Sequence, residues 1–235
     1  ARAGMISTNA SLGKPNAGVP PGAVRAGLDE TRELPGTTHL SIVDADGHAV
    51  SMTSSIETAF GSMLMVRGFL LNNQLTDFSF RPTDGSGVPI ANRVQAGKRP
   101  RSSMAPTIVL NEKGQLEALL GSPGGSSIIQ YVTRTLVAMI DWRMDVQQAI
   151  GAPHFGAKTS ATTTLEANSE LVGLKAALSK MGHKIRLRPL TSGLHAIVFN
   201  GQRKDGRAGA MAIGPRRSMW AAGADPRREG LALGN

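Results

Sequence analysis

The hydrophobic period of this chain changes at Ser126, and that change limits what the chain can fold into. Upstream, β-branched and apolar residues fall in short runs: Thr38 to Asp44, Ala49 to Ser54, Thr107 to Leu110 and Leu116 to Gly121. Asp46-Gly47 separates the first two runs and Asn111 to Gly114 the last two, so each couple reads as a paired hairpin. Downstream, Ile128, Val132, Leu136 and Ile140 recur every four residues, which is one face of a helix. A second short helix is expected at Asp145 to Ile150. A third is expected over Glu170 to Met181, capped by Asn168 or Ser169 and stopped by Gly182. Strands return at Lys184 to Arg188, His195 to Phe199 and Ala208 to Ile213. Strands, then helices, then strands again predict an α+β protein, an antiparallel sheet with helices packed on it.

Two segments stand outside this pattern. Ala1 to Gly36 holds too many glycines and prolines for regular structure and reads as a linker or exposed tail. Ser79 to Gly97 is a long, polar, Gly/Pro-rich loop, and a loop of that length in a compact domain is functional or disordered. The longest apolar stretch, Ser127 to Ile140, is interrupted by Gln130, Thr133, Arg134 and Thr135, so no membrane span is expected.

Composition removes whole classes of chemistry. The absence of cysteine excludes disulfides, thiolate metal sites and cysteine nucleophiles. The five histidines lack metal-ligand spacing, and neither a Walker phosphate loop nor a G-x-S-x-G elbow is present, so no metal or cofactor is expected. Lys and Arg number 26 against 17 Asp and Glu, a formal net charge of +9. The basic residues come in scattered pairs with no aromatic residue among them, unlike a nucleic-acid surface. A solvated face, or one that docks an acidic partner, fits better.

Three features carry chemistry. Pro35-Gly36-Thr37-Thr38-His39 stands where the tail meets the first strand. Scission of the Gly36–Thr37 bond leaves Thr37 with a free α-amine beside its own hydroxyl. That amine, with a pKa of about 7.7–8.0, can take the hydroxyl proton near neutral pH. Unmodified, the same residues are an ordinary strand entry. Gly121-Ser-Pro-Gly-Gly-Ser126 links a strand to the helix, and its glycines can offer backbone N–H groups to an oxyanion or simply make a tight turn. The third feature is a set of polar clusters on loops: Ser54 to Glu57, Asn72 to Asp77, and Arg101 to Ser103. Carboxylates there can grip an ammonium group, and hydroxyls can hold a carboxylate.

Taken in order, Thr37 to Ser41 with Asp46-Gly47, Leu71 to Phe78, Lys98 to Pro106, Gly121 to Ser126 and Ala224 to Arg228 resemble the γ-glutamyltranspeptidase family over residues 37 to 235. The resemblance implies an N-terminal-nucleophile hydrolase fold, an αββα sandwich that is incomplete without an upstream large-subunit region. It divides the chain into the end of the large subunit, residues 1–36, and a catalytic small subunit, residues 37–235. It implies autocatalytic cleavage between Gly36 and Thr37, after which Thr37 is the nucleophile and its amine the general base. Gly124 and Gly125 form the oxyanion hole in that picture, and Ser55 supports the nucleophile. Glu57, Gln74 and Asp77 receive the ammonium of a γ-glutamyl donor such as glutathione, while Ser102 and Ser103 hold its carboxylate. Water or an acceptor amine, from an amino acid or peptide, resolves the acyl-enzyme. The family's habit implies a periplasmic or secreted location.

The chain departs from that pattern in carrying a serine at position 55, where a threonine is frequent, and in offering no arginine for the large subunit's role at the donor carboxylate. It is therefore expected to work as half of a heterodimer. Two rival readings stay open. A glutaryl or cephalosporin acylase-type amidase would use the same Thr37 and diglycine but leave Glu57 and Asp77 without a purpose. A non-catalytic fragment would only support a partner subunit.

Overall fold

A computed structural model describes residues 3–15, 18–19, 21–31, 36–158, 161–201 and 219–234. In chain order the strands are β1 (Thr37–Val43), β2 (Ala49–Ser55), β3 (Met65–Val66), β4 (Phe69–Leu70), β5 (Thr107–Leu110), β6 (Leu116–Gly121), β7 (Phe155–Ala157), β8 (Thr162–Glu166), β9 (Lys184–Arg188), β10 (His195–Phe199) and β11 (Trp220–Ala224). The helices are α1 (Ile128–Ile140), α2 (Val146–Gly151) and α3 (Lys175–Lys180), with 3-10 turns at Ala3–Met5, Gln74–Asp77, Gly125–Ser127 and Glu170–Leu174. The strand expected at 208–213 lies outside the described residues.

The chain forms two compact units, one of residues 25–151 and 192–235, the other of residues 1–24 and 152–191. The larger unit is built on a four-stranded antiparallel sheet in the order β11-β10-β6-β5. Strand β6 is covered on both faces: Ala118, Leu119 and Leu120 are wholly buried. Helices α1 and α2 pack on one face of the sheet and the β1–β2 hairpin on the other. Burying Leu119, Leu120, Ile128, Met139 and Ile150 stabilises the unit by roughly 1.5–3 kcal/mol per side chain.

The buried residues of α1 are Ile128, Tyr131, Val132, Arg134, Thr135, Ala138 and Met139. The expected every-fourth-residue stripe is corrected at its far end, where Ile140 is exposed. Three steps of four residues overshoot a whole number of turns by about 120°, which carries position 140 out of the core.

The β1–β2 hairpin reverses the usual arrangement. Its inward face is polar, with Thr37 opposite Ser55, His39 opposite Thr53 and Ser41 opposite Ser51. These groups satisfy one another: the His39 ring bonds Thr53 Oγ1 (2.8 Å) and Ser41 Oγ (3.1 Å), and Ser51 Oγ donates to the Leu120 carbonyl (3.2 Å). The outward face leaves Ile42, Val50 and Met52 about half exposed. The hairpin that Asp46-Gly47 predicts is present, and its turn is a three-residue loop closed by Asp44 N–H to the His48 carbonyl (3.0 Å), with Gly47 at φ +86°.

Asp225 ties the end of this unit to its sheet. Its carboxylate accepts from Ser192 Oγ, Leu194 N–H and both the backbone and guanidinium of Arg227. Burial alone raises the pKa of that carboxyl; the hydrogen bonds from Ser192, Arg227 and Leu194 and the Arg227 charge outweigh it and hold it below the ordinary value.

In the smaller unit β7 pairs antiparallel with β8, but β8 pairs parallel with β9, which corrects the all-antiparallel expectation. The continuous helix expected over 170–181 is a 3-10 turn followed by α3. Val172 and Gly173 are weak α-formers side by side, and they fall in the 3-10 turn.

Candidate active site

The site sits at the open end of the hairpin, where β1 begins and β2 ends. The Thr37–Ser55 register places their hydroxyls together, and Thr37 Oγ1 donates to Ser55 Oγ (3.2 Å). Ser55 Oγ also accepts the Glu57 N–H (2.9 Å) and donates to the Gly36 carbonyl (3.2 Å). One hydroxyl thus touches both the Thr37 side chain and the carbonyl of the bond that precedes it. The Ile56 N–H makes a second bond to that carbonyl (3.3 Å).

Gly36 is required by space. A Cβ there would lie 2.2 Å from the Glu57 carbonyl oxygen. Glu57 itself has φ +73°, a conformation that costs a non-glycine residue of order 1 kcal/mol or more. That backbone turns the side chain inward, where it is 6% exposed. Asp77, at the end of the Gln74–Asp77 3-10 turn, is 4% exposed. The Gln74 amide bridges the two acids, donating to Glu57 Oε2 (3.2 Å) and Asp77 Oδ2 (2.9 Å). Two buried carboxylates joined by one neutral donor form a site that favours a cation.

The strand-to-helix turn closes the opposite side. Gly124 has φ +139° and Gly125 φ +55°, and a Cβ at Gly124 would strike the Tyr131 ring at 2.6 Å. No side chain fits position 124, and the second glycine opens the 3-10 turn Gly125–Ser127 that leads into α1 at Ile128. Behind the turn, Ser122 Oγ donates to the Pro123 carbonyl (2.6 Å) and accepts the Gly193 N–H (3.2 Å).

Thr37, Ser55, Glu57, Gln74, Asp77, Ser102, Ser103 and Gly125 line one cavity of about 20 Å³, together with Met104 and Ile128. Gly36 joins it through Ser55, and Gly124 through Gly125. In the continuous chain this volume has room for about one water molecule. The sequence segments that supply these groups are separated along the chain and converge on this cavity.

Sequence reasoning placed Arg101 in a polar cluster but passed over Asp29 and Asn92, which brace this cavity with it. Arg101 Nη1 pairs with Asp29 (3.0 Å), its Nη2 donates to the Thr31 carbonyl, and Asn92 bonds Asp29, Asp77 and Arg101. Burial raises the Asp29 pKa; bonds from the Thr31 N–H and side chain and from Asn92, with the Arg101 charge, bring it below the ordinary value. An unpaired acid in a glycine-rich tail gives no sequence signal, because its partners lie 63 and 72 residues away. Met104 follows the serines of the Arg101–Ser103 cluster and Ile128 begins the apolar stripe of α1, and neither carries a sequence signal for this cavity.

A polar-faced hairpin packed on a four-stranded sheet, with a threonine at its first position and a diglycine turn across from it, defines the N-terminal-nucleophile hydrolase class. Across residues 1–235 the chain matches the family model described as gamma-glutamyltranspeptidase, and it belongs to that family. It is 37% identical to a glutathione hydrolase proenzyme of Pseudomonas sp. (strain A14), over 84% of this chain and 35% of that protein. It therefore spans about a third of the length of the curated relatives it matches. A crystal structure of a mutant Helicobacter pylori gamma-glutamyltranspeptidase superposes with a TM-score of 0.67 at 34% identity, over 81% of this chain and 100% of that one. A cephalosporin acylase from Bacillus halodurans shares the fold, with a TM-score of 0.65 at 24% identity over 82% of this chain and 33% of that one. Among the described residues no helix is long and apolar enough to cross a membrane.

Proposed function

We propose that this chain carries the nucleophile and donor pocket of a γ-glutamyltransferase that also hydrolyses glutathione, working through a Thr37 acyl-enzyme after self-cleavage at Gly36–Thr37. The observation that carries the reading is the Ser55 hydroxyl, within 3.2 Å of both Thr37 Oγ1 and the Gly36 carbonyl oxygen, beside two buried acids. In the precursor, Ser55 aligns the Thr37 hydroxyl and polarises the Gly36 carbonyl. Attack by Oγ1 on that carbon moves the acyl group from nitrogen to oxygen, and water hydrolyses the ester. The new Thr37 amine and a free hydroxyl remain. Departure of the Gly36 end opens the cavity to a donor.

In turnover the amine takes the Oγ1 proton as Oγ1 attacks the donor's γ-carbonyl. The Gly124 and Gly125 N–H groups receive the developing oxyanion, each such donor being worth about 3 kcal/mol. The leaving amine takes the proton, and water or an acceptor amine releases the glutamyl group. Glu57, Gln74 and Asp77 bind the donor ammonium, and Ser102 and Ser103 its carboxylate. The relatives carry the name proenzyme, which supports cleavage into subunits and a heterodimer with a large subunit; the split between 36 and 37 rests on the family resemblance and on the place of Thr37 at the start of β1. The half-exposed Ile42, Val50 and Met52 are apolar surface for that subunit to cover. A periplasmic or secreted location is part of the proposal, on the habit of bacterial family members, and cell fractionation checks it.

The test uses the full-length precursor. Intact mass should show two fragments meeting at Thr37, and γ-glutamyl-p-nitroanilide should turn over faster than the matching glutaryl anilide. Faster turnover of the glutaryl compound establishes the acylase-type amidase instead. An uncut chain that takes no adduct from a glutamine-like electrophile establishes a non-catalytic role.

A further inference from the structure

We propose that Asn92 is a positioning residue that fixes the gap between the two walls of the donor cleft, the acidic wall at Gln74–Asp77 and the hydroxyl wall at Ser102–Ser103. The inference rests on the donor reading above and adds to it the residue that sets the cleft's width. The Asn92 side chain commits both of its N–H donors and its oxygen to this task. Nδ2 donates to the Asp77 backbone carbonyl (2.7 Å) and to the Asp29 carboxylate (2.8 Å), while Oδ1 accepts the Arg101 N–H (2.9 Å). Asp77 ends the turn that carries Gln74 and Asp77 itself, and Arg101 immediately precedes Ser102. One planar amide therefore spans the two walls. The third partner is locked by the same group of residues, because Asp29 is ion-paired to Arg101.

The backbone around Asn92 is equally constrained. Its carbonyl accepts the Ser79 N–H (2.9 Å), just beyond Asp77. Ile90 is 3% exposed, its N–H bonds the Pro82 carbonyl (3.0 Å), and the neighbouring Pro89 carbonyl accepts the Gly27 N–H (2.9 Å). The long loop that sequence marks as functional or disordered is thus a brace that delivers Asn92 between the walls. An α-amino acid head carries its ammonium and carboxylate on one carbon, so both walls must stand at the correct separation together. Asn92 makes none of the hydrogen bonds at Gly36, Thr37 or Ser55, so it acts on donor binding and not on scission.

The experiment is Asn92→Ala in the full-length precursor, read by intact mass and by steady-state kinetics with the γ-glutamyl and glutaryl anilides. The variant is expected to cut itself. Its KM for the γ-glutamyl donor should rise roughly tenfold while kcat stays within about threefold of wild type. Its preference for γ-glutamyl over glutaryl should shrink by a similar factor, because the glutaryl compound lacks the ammonium that the acidic wall receives. A cut variant with wild-type KM and wild-type preference overturns the inference. If Asn92→Ala does not cut, Asn92→Ser is measured in the same way and decided by the same two numbers. Failure of both variants to cut also overturns it, by placing the amide in folding or scission. A wild-type precursor with no preference for the γ-glutamyl donor defeats the donor reading itself and takes the spacing role with it.

Discussion

The β1–β2 hairpin gathers polar groups at both of its ends, and the two ends do different things with them. At the turn, Asp44, Asp46 and His48 bring carboxylate and imidazole atoms within 4.8 Å of one another, all exposed. Asp44 spends its oxygens on its own loop: Oδ1 accepts the Asp46 and His48 N–H groups and Oδ2 bonds the His48 ring. Those bonds, the ring first, hold its pKa below the ordinary value. At the open end, Glu57 and Asp77 are buried and brought from separate segments against Thr37 and Ser55. At the turn Asp44 is satisfied within its own loop; the two acids at the open end come from separate segments, are buried together and share one donor, Gln74.

The largest expected effect is at the open end. Thr37→Ala in the full-length precursor should abolish both scission and turnover, checked by intact mass and anilide release; surviving turnover would remove the nucleophile from the scheme. Asp77→Ala should lower kcat/KM about ten- to a hundredfold, chiefly through KM, since a hydrogen bond to a charged group is worth roughly 1.5–3 kcal/mol. An unchanged KM separates Asp77 from the donor ammonium.

Between the two ends lies His39, 4% exposed, whose pKa is lowered to about 4 by burial and by the charge of His195. The unfolded chain binds a proton near pH 6.5 and the folded one does so only near 4. Stability is therefore fully present above 6.5 and falls as the pH drops from 6.5 to 4, by about 3 kcal/mol. Urea midpoints across that range should show the slope, and His39→Asn should flatten it.

The smallest effects belong to the turn. Gly47→Ala should cost about 1 kcal/mol, because φ is +86° there. Asp44→Ala should leave donor kcat and KM unchanged. A kinetic defect in Asp44→Ala would erase the contrast between the two ends.

Much of this arrangement was legible in the sequence because it is local. Strand β1 announces itself by its β-branched run, and the diglycine turn by glycines at a change of period. The β3–β4 hairpin escaped because two-residue strands leave no periodicity to read. The parallel partner of β9 escaped because its register is fixed by contacts about 20 residues away, a separation at which no local pattern exists. Asn92 escaped for a similar reason: an asparagine in a polar loop shows no sign that its amide will reach three separate segments.

The crowding at Gly36 has a consequence for the bond proposed to be cut. A single methyl group there collides with the carbonyl of the residue that turns a carboxylate into the pocket. Any larger residue must displace the Glu57 backbone and the carboxylate it carries, so on the proposed scheme steric room selects the amino acid before the cut ahead of chemical reactivity.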